Sequence, residues 1–181
     1  MTTCVMLDLE TLGTRPDCVI LTLGAIKFNP YSDQEPGPGI YFRLDIEDQL
    51  ALGRTVDDST IDWWAQQDPR VKEEAMGESG DRVDVAKMRY ELNKFLVGVD
   101  YIWAQGPAFD IVILEDLYRS QGWGFPWHFW QIRDSRTLFG VHGDPREKGR
   151  DQAHNALADC YYQAQAVQKT YKSLGLKPEP R

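Results

Sequence analysis

The sequence predicts an α/β domain: a five-stranded mixed sheet, made of a three-stranded antiparallel meander and two parallel strands, flanked by helices. Two observations carry this expectation. Three short apolar stretches with tight connections open the chain, and strands joined so closely pair antiparallel. Downstream, segments of helical periodicity alternate with short apolar runs, the order that layers helices against a sheet. The 181 residues, 42% of them hydrophobic, suit one domain over 1–181 with a substantial core. Six Trp, eight Tyr and seven Phe argue against a disordered chain.

The first strand, Cys4 to Thr11, alternates faces with period two. Met6, Asp8 and Glu10 share one face, and Val5, Leu7 and Leu9 share the other. A strand with apolar residues on both faces is normally interior to its sheet, where an unpaired carboxylate is costly to bury. Two neighbouring carboxylates raise each other's pKa unless something positive neutralises them. A divalent cation is the simplest neutraliser, and hard oxygen ligands suit Mg²⁺ or Mn²⁺. The alternative is a strand that ends at Leu7 and leaves a solvated Asp-Leu-Glu turn.

Gly13 to Asp17 is a turn, Cys18 to Phe28 a second strand, and the Pro36-Gly37-Pro38-Gly39 run a loop before a third strand, Ile40 to Leu44. Residues 45 to 80 are polar with helical fragments. Asp58 or Ser59 caps a short helix through Gln67, closed by Asp68-Pro69. Its adjacent Trp63 and Trp64 lie about 100° apart, so both cannot sit at the centre of one buried stripe. One ring is therefore a candidate for stacking on a base, against the alternative that both pack partly on the core.

Val83 to Val97 carries helical periodicity and stops at Gly98. Tyr101 to Ala104 is a fourth strand, and Gly106-Pro107 turns it into a helix with Ile111, Leu114, Leu117 and Tyr118 on one face, ending at Gly122. An aromatic loop from Trp123 to Trp130 enters a fifth strand, roughly Phe129 to Arg133. Gly140 to Gln152 is a polar loop carrying Arg146, Lys148 and Arg150, and a last helix runs from Asn155 to about Leu174.

A net charge of −8 and a pI near 4.9 do not describe a protein that coats nucleic acid electrostatically. They leave room for a nuclease, because acidic metal ligands contribute to that charge and bound ions reverse it locally. Three cysteines without CxxC spacing predict reduced thiols in a cytoplasmic protein. The sequence runs straight into its first strand, so no signal peptide is expected, and no apolar run approaches membrane-spanning length.

Two further acids stand where a ligand is expected. Asp110 follows the fourth strand at the first turn of a helix, and Asp159 sits in the first turn of the last helix if Asn155 is its N-cap. A helix N-terminus favours an acid by a few tenths to about 1 kcal/mol, which explains each one singly without any ligand. His154, on the loop before that cap, can swing over the site that Asp159 helps line.

Asp8-Leu9-Glu10, the segment ending Phe109-Asp110, and His154 through Asp159 together resemble, in order and spacing, the three motifs of the DEDDh 3′→5′ exonucleases of the ribonuclease-H-like fold. A lone DxE is weak; three motifs in order with HxxxxD spacing are strong. Ser59-Thr60-Ile61-Asp62-Trp63-Trp64 and Asp134-Ser135-Arg136-Thr137-Leu138 look most like the group of phage exonuclease A and mycobacterial ribonuclease AS.

The resemblance implies 3′→5′ hydrolysis of single-stranded RNA or DNA, or of 3′ overhangs, with two divalent cations, Mg²⁺ or Mn²⁺, held by Asp8, Glu10, Asp110 and Asp159. His154 is implied as the general base, a task imidazole suits because it titrates near working pH. Thr11 and Leu12 are expected beside the terminal nucleotide, with Trp63 or Trp64 and Phe109 as candidates for stacking its base. Arg146, Lys148 and Arg150 are candidates for phosphate contacts or, as plainly, a solvated loop. A homodimer is common among the resembling proteins. The competing expectations are a non-hydrolytic nucleic-acid-binding module on the same fold, and an endonuclease that lacks the HxxxxD pattern.

Overall fold

A computed structural model describes residues 1–78, 80–146 and 154–178. Strands β1 (Cys4–Thr11), β2 (Ile20–Phe28) and β3 (Gly39–Leu44) form the antiparallel meander. On the other side of β1, the strands Tyr101–Ala104 and Ile132–Asp134 add in parallel.

The sheet has six strands rather than five. The additional strand, Arg82–Val83, lies parallel to the end of β3. Two residues are too short to leave a periodic signal, and this pairing is made by tertiary contact, with the Asp45 N–H donating to the Val83 carbonyl at 2.8 Å. Numbered in chain order, with Arg82–Val83 as β4, Tyr101–Ala104 as β5 and Ile132–Asp134 as β6, the sheet order is β4-β3-β2-β1-β5-β6.

Three helices fill the polar stretch after β3: α1 (Ile46–Ala51), α2 (Asp58–Ala65) and α3 (Pro69–Met76). Asp68-Pro69 does not merely close α2. Asp68 accepts the Arg70 N–H, and Pro69 stands in the first turn, where its missing donor costs nothing, so the pair opens α3. Helices α4 (Val85–Phe95) and α5 (Pro107–Ser120) flank β5 in sequence. The fifth predicted strand begins late, because Phe129–Gln131 is a 3₁₀ turn whose Gln131 amide donates to the Val99 and Asp100 carbonyls. Helix α6 (Ser135–His142) occupies the start of the expected polar loop, and α7 (Ala156–Ser173) closes the described fold.

β1 keeps a regular register with β2 as far as Glu10, with a shift only between Glu10 and Thr11, so the reading of a solvated turn after Leu7 does not hold. Val5, Leu7 and Leu9 join one core with Met88 and Leu92 of α4 and Ile111 and Leu114 of α5. Cys4 and Met6 face a second core with Phe139 of α6 and Cys160, Ala164 and Val167 of α7. A third, smaller core gathers Leu12, Val19, Leu21, Trp64 and Ala75. The three cysteines are buried and unpaired by disulfides. Among the described residues, no helix is long and apolar enough to cross a membrane.

Candidate active site

The site forms where β5 leaves β1. Parallel pairing of these strands ends at Met6 with Trp103, because Gly106 adopts a left-handed conformation (φ 98°) and turns the chain into α5. The Leu9 N–H beyond that point donates instead to Asp110 Oδ1 at 3.0 Å. Asp134, at the end of β6, pins the turn by accepting the N–H groups of Gly106 (3.1 Å) and Arg136 (2.9 Å) and the Thr137 hydroxyl (2.8 Å). Asp110 thus reaches the edge of β1 through a turn that another acid holds in shape.

Helix α7 brings the last acid. Asn155 caps it, its side chain accepting the Ala158 N–H at 3.0 Å, which places Asp159 in the first turn. The helix approaches the sheet at Gly24, the β2 residue paired with Asp8. A Cβ at Gly24 would lie 2.4 Å from the Ala156 carbonyl carbon and the Leu157 nitrogen, so only glycine admits the helix here. Cys160 reinforces the contact by donating to the Gly24 carbonyl at 3.3 Å. As a result, ligand atoms of Asp8, Glu10 and Asp159 lie within 4.8 Å of one another.

Burial and mutual repulsion make these acids costly to ionise. Burial pushes Asp8 well above the ordinary carboxylate range, and Asp110, Glu10 and Asp159 push it further. Burial, then the charges of Asp159 and Asp110, lift Glu10 to about 8. Burial raises Asp110 to about 7, opposed by the Leu9 N–H and by Arg136. Burial also raises Asp159, opposed by His154 and Arg146. The donors are carboxylate oxygens alone, hard ligands of the kind that Mg²⁺ and Mn²⁺ take, and a cation among them would remove the repulsion. The residues present therefore fit a divalent metal centre.

Around this centre the expected substrate residues separate. His154 stands one residue before the α7 cap in a left-handed conformation (φ 41°), and its ring meets Trp63 edge-on at 5.3 Å. Trp63 is 42% exposed, whereas Trp64 is 1% exposed. Trp64 is thereby corrected from a stacking candidate to a support: its indole N–H donates to the Thr11 carbonyl at 2.9 Å. Leu12 is likewise buried, packed in the third core, with its N–H on the Val19 carbonyl and its carbonyl accepting the Asp57 N–H. Packed in that core, the Leu12 side chain is not free to line the site. Thr11 is buried too, its hydroxyl donating to the Gly13 carbonyl. Phe109 is half-buried beside Asp110, against the first core. Arg146 pairs with Asp144 and lies over the Phe139 ring, while Lys148 and Arg150 lie outside the described residues.

Sequence reasoning missed Gly24, the role of Asp134 and the exposed Arg136. Arg136 donates to the Gln105 carbonyl at 3.1 Å and lowers the pKa of Asp110. A glycine in the middle of a strand is a signal for close backbone approach and marks Gly24. Nothing local in the sequence singles out Arg136.

The model of the 3′-5′ exoribonuclease Rv2179c-like domain matches residues 3–171. The exodeoxyribonuclease of Enterobacteria phage T4 is 28% identical over 189 residues, spanning 86% of this chain and 83% of that protein. Among solved structures, E. coli exonuclease I in a complex with single-stranded DNA superposes with a TM-score of 0.66 at 15% identity, over 97% of this chain and 43% of its own. Cell-death related nuclease 4 superposes with a TM-score of 0.61 at 14% identity, over 96% of this chain and 64% of its own. The chain thus spans under half of exonuclease I, and these two likenesses bear on the fold, which is ribonuclease-H-like as expected. With the family's model matching residues 3–171, nearly the whole of this chain, and the acids of all three motifs brought together, the chain belongs to the 3′-5′ exoribonuclease Rv2179c-like domain family of 3′→5′ exonucleases.

Proposed function

We propose that this chain removes nucleotides one at a time from the 3′ ends of single-stranded RNA or DNA. The observation that carries the reading is the convergence of Asp8, Glu10 and Asp159 within 4.8 Å, with Asp110 fixed beside them on the Leu9 N–H. Two divalent cations, Mg²⁺ or Mn²⁺, held by these four carboxylates supply charge neutralisation and polarisation of the scissile phosphate when bound. His154, on the loop leading into α7, takes the proton from the attacking water as it adds in line to the phosphorus; the bond from phosphorus to the 3′ oxygen of the preceding nucleotide breaks, and that oxygen leaves and is protonated from solvent. Trp63, exposed beside His154, offers its face to the terminal base, and Phe109 borders the same site from α5. Arg136 offers an exposed cation near Asp110 for a phosphate. Three buried thiols suit a reducing compartment, and we place the reaction in the cytoplasm.

The test is incubation of the purified protein with RNA and DNA oligonucleotides labelled at either end, in Mn²⁺ or in chelator. A 3′ label should appear first as a mononucleotide and a 5′ label as a shrinking ladder, with no product in chelator or from Asp8→Asn. Internal cleavage, or release of the 5′ label first, would overturn the reading. The family's description names a ribonuclease and the phage relative's name a deoxyribonuclease, so both polymers belong in the assay.

A further inference from the structure

We propose that the β6 edge of the sheet is a second nucleic-acid contact, a row of aromatic and arginine side chains that holds the 5′-ward part of the strand whose 3′ end lies among the acids. The proposal rests on the reading of those acids as an exonuclease site and adds the path of the remaining substrate. At the far end of the row, in the 3₁₀ turn before β6, Phe129 and Trp130 are 83% and 57% exposed. The Trp130 ring stacks on His128 at 4.2 Å with 6° between their planes, and Phe129 meets it edge-on at 5.2 Å. Exposed flat rings of this kind stack on bases of any sequence.

A short series of contacts leads from these rings to the acids. Arg133 donates to the Trp130 carbonyl at 2.7 Å and lies over the Tyr101 ring of β5 at 4.0 Å. It aligns across the sheet with Trp103 and, through it, with Met6, so its side chain stands on the face that carries Asp8 and Glu10. Arg136 follows in the first turn of α6, its guanidinium donating to the Gln105 carbonyl at 3.1 Å, beside the turn into the helix of Asp110. The strand residues between the rings and this turn rise about 10 Å, a reach that a few nucleotides cover.

Charge selects the occupant. Among the described residues, neither Arg133 nor Arg136 makes an ion pair with a carboxylate. Asp134 between them is taken up by the N–H groups of Gly106 and Arg136 and by the Thr137 hydroxyl. Each guanidinium keeps further N–H groups for an acceptor. In a chain of net charge −8, unpaired guanidinium groups between exposed rings and a nuclease centre match phosphates and bases together. A two-fold contact with a second copy would bring the same cations toward each other, over a strand of only three residues, Ile132–Asp134.

The experiment measures calcium-loaded binding of an oligonucleotide of about 16 nucleotides, and of a dinucleotide, with melting temperature and sedimentation alongside. The proteins are wild type, Trp130→Ala, Phe129→Ala, Arg133→Gln and Tyr90→Ala. Each of Trp130→Ala and Phe129→Ala should bind the long strand about 5–150-fold more weakly, the loss of one base stack, and bind the dinucleotide as wild type does. Arg133→Gln should make the slope of log K against log salt shallower by about 0.7, one phosphate contact. Tyr90, a 66% exposed ring on α4, should be replaceable without effect. Equal weakening of long strand and dinucleotide, wild-type binding of the long strand by both ring variants, or failure of both to fold would overturn the row. A wild-type dimer that Trp130→Ala dissociates would assign the edge to a second copy instead. A wild type that releases no mononucleotide from a 3′ label in Mn²⁺ would overturn the exonuclease reading itself, and the row with it.

Discussion

Two buried polar clusters lie on either side of the loop that follows β1. In the first, fully buried Gln49 accepts the Ile20 N–H (2.8 Å) and donates to the Ile20 and Asp45 carbonyls (2.7 and 3.0 Å). Beside it Arg54 donates to the Cys18 and Pro16 carbonyls and to Asp116 of α5, all at 2.8–3.0 Å. In the second, Asp8, Glu10, Asp110 and Asp159 face one another with few donors among them. In the first cluster every polar side-chain atom of Gln49 and Arg54 has a partner, and the bonds to Pro16, Cys18 and Ile20 hold the path of the loop after β1. The second combines burial with mutual repulsion, both of which a bound cation would offset. Satisfied burial makes shape, and unsatisfied burial makes a binding site.

The largest effects should come from breaking the satisfied side. Arg54→Met leaves two carbonyls without donors at about 1–3 kcal/mol each, and Trp64→Ala should cost about 3–5 kcal/mol of folding stability. Denaturant titration measures both, and a loss under 1 kcal/mol in either would contradict the contrast. On the other side, Asp8→Asn should lower turnover by about 10³-fold while leaving the metal-free protein as stable as wild type or more so. Near wild-type turnover from the folded variant would remove Asp8 from the metal centre.

Metal and pH sharpen the comparison further. At free Mn²⁺ about 100 times its dissociation constant, the native state should gain about 2.7 kcal/mol, read as a rise in melting temperature over chelator. Without metal, Glu10 at about 8 and Asp110 at about 7 bind protons more tightly in the folded protein than in the unfolded chain. Metal-free stability should therefore rise as pH falls from about 8 toward the ordinary carboxylate range, the reverse of what salt-bridged acids give. The gain from Mn²⁺ should shrink over the same interval, because cations and protons compete for the same oxygens. A flat metal-free profile between pH 5 and 8 would show that the four acids do not repel.

The smallest effect belongs to the ring beside His154. Trp63→Ala should weaken binding of a single-stranded oligonucleotide by about 1–3 kcal/mol in a calcium-loaded titration, with stability changed by less than about 0.5 kcal/mol. If it destabilises as Trp64→Ala does, the two tryptophans do not divide into a binding ring and a supporting one.

The sequence by itself determined the parts that depend on local periodicity and on motif order. The alternation of β1 put Asp8 and Glu10 on one face; the cap at Asn155 put Asp159 in a first turn; and the order of three motifs carried the family. These signals are short-range, so they survive in one dimension. What only the tertiary structure decided is how the parts meet. Gly24 lets α7 touch the sheet opposite Asp8, and the divergence of β5 at Gly106 frees the Leu9 N–H for Asp110. The path after β1 sends Trp64 inward and leaves Trp63 out, although both rings sit side by side in the chain. A two-residue strand such as β4, or an orphaned oxygen such as that of Gln163, has no pattern along the sequence. Each depends on which distant parts of the chain the fold brings together.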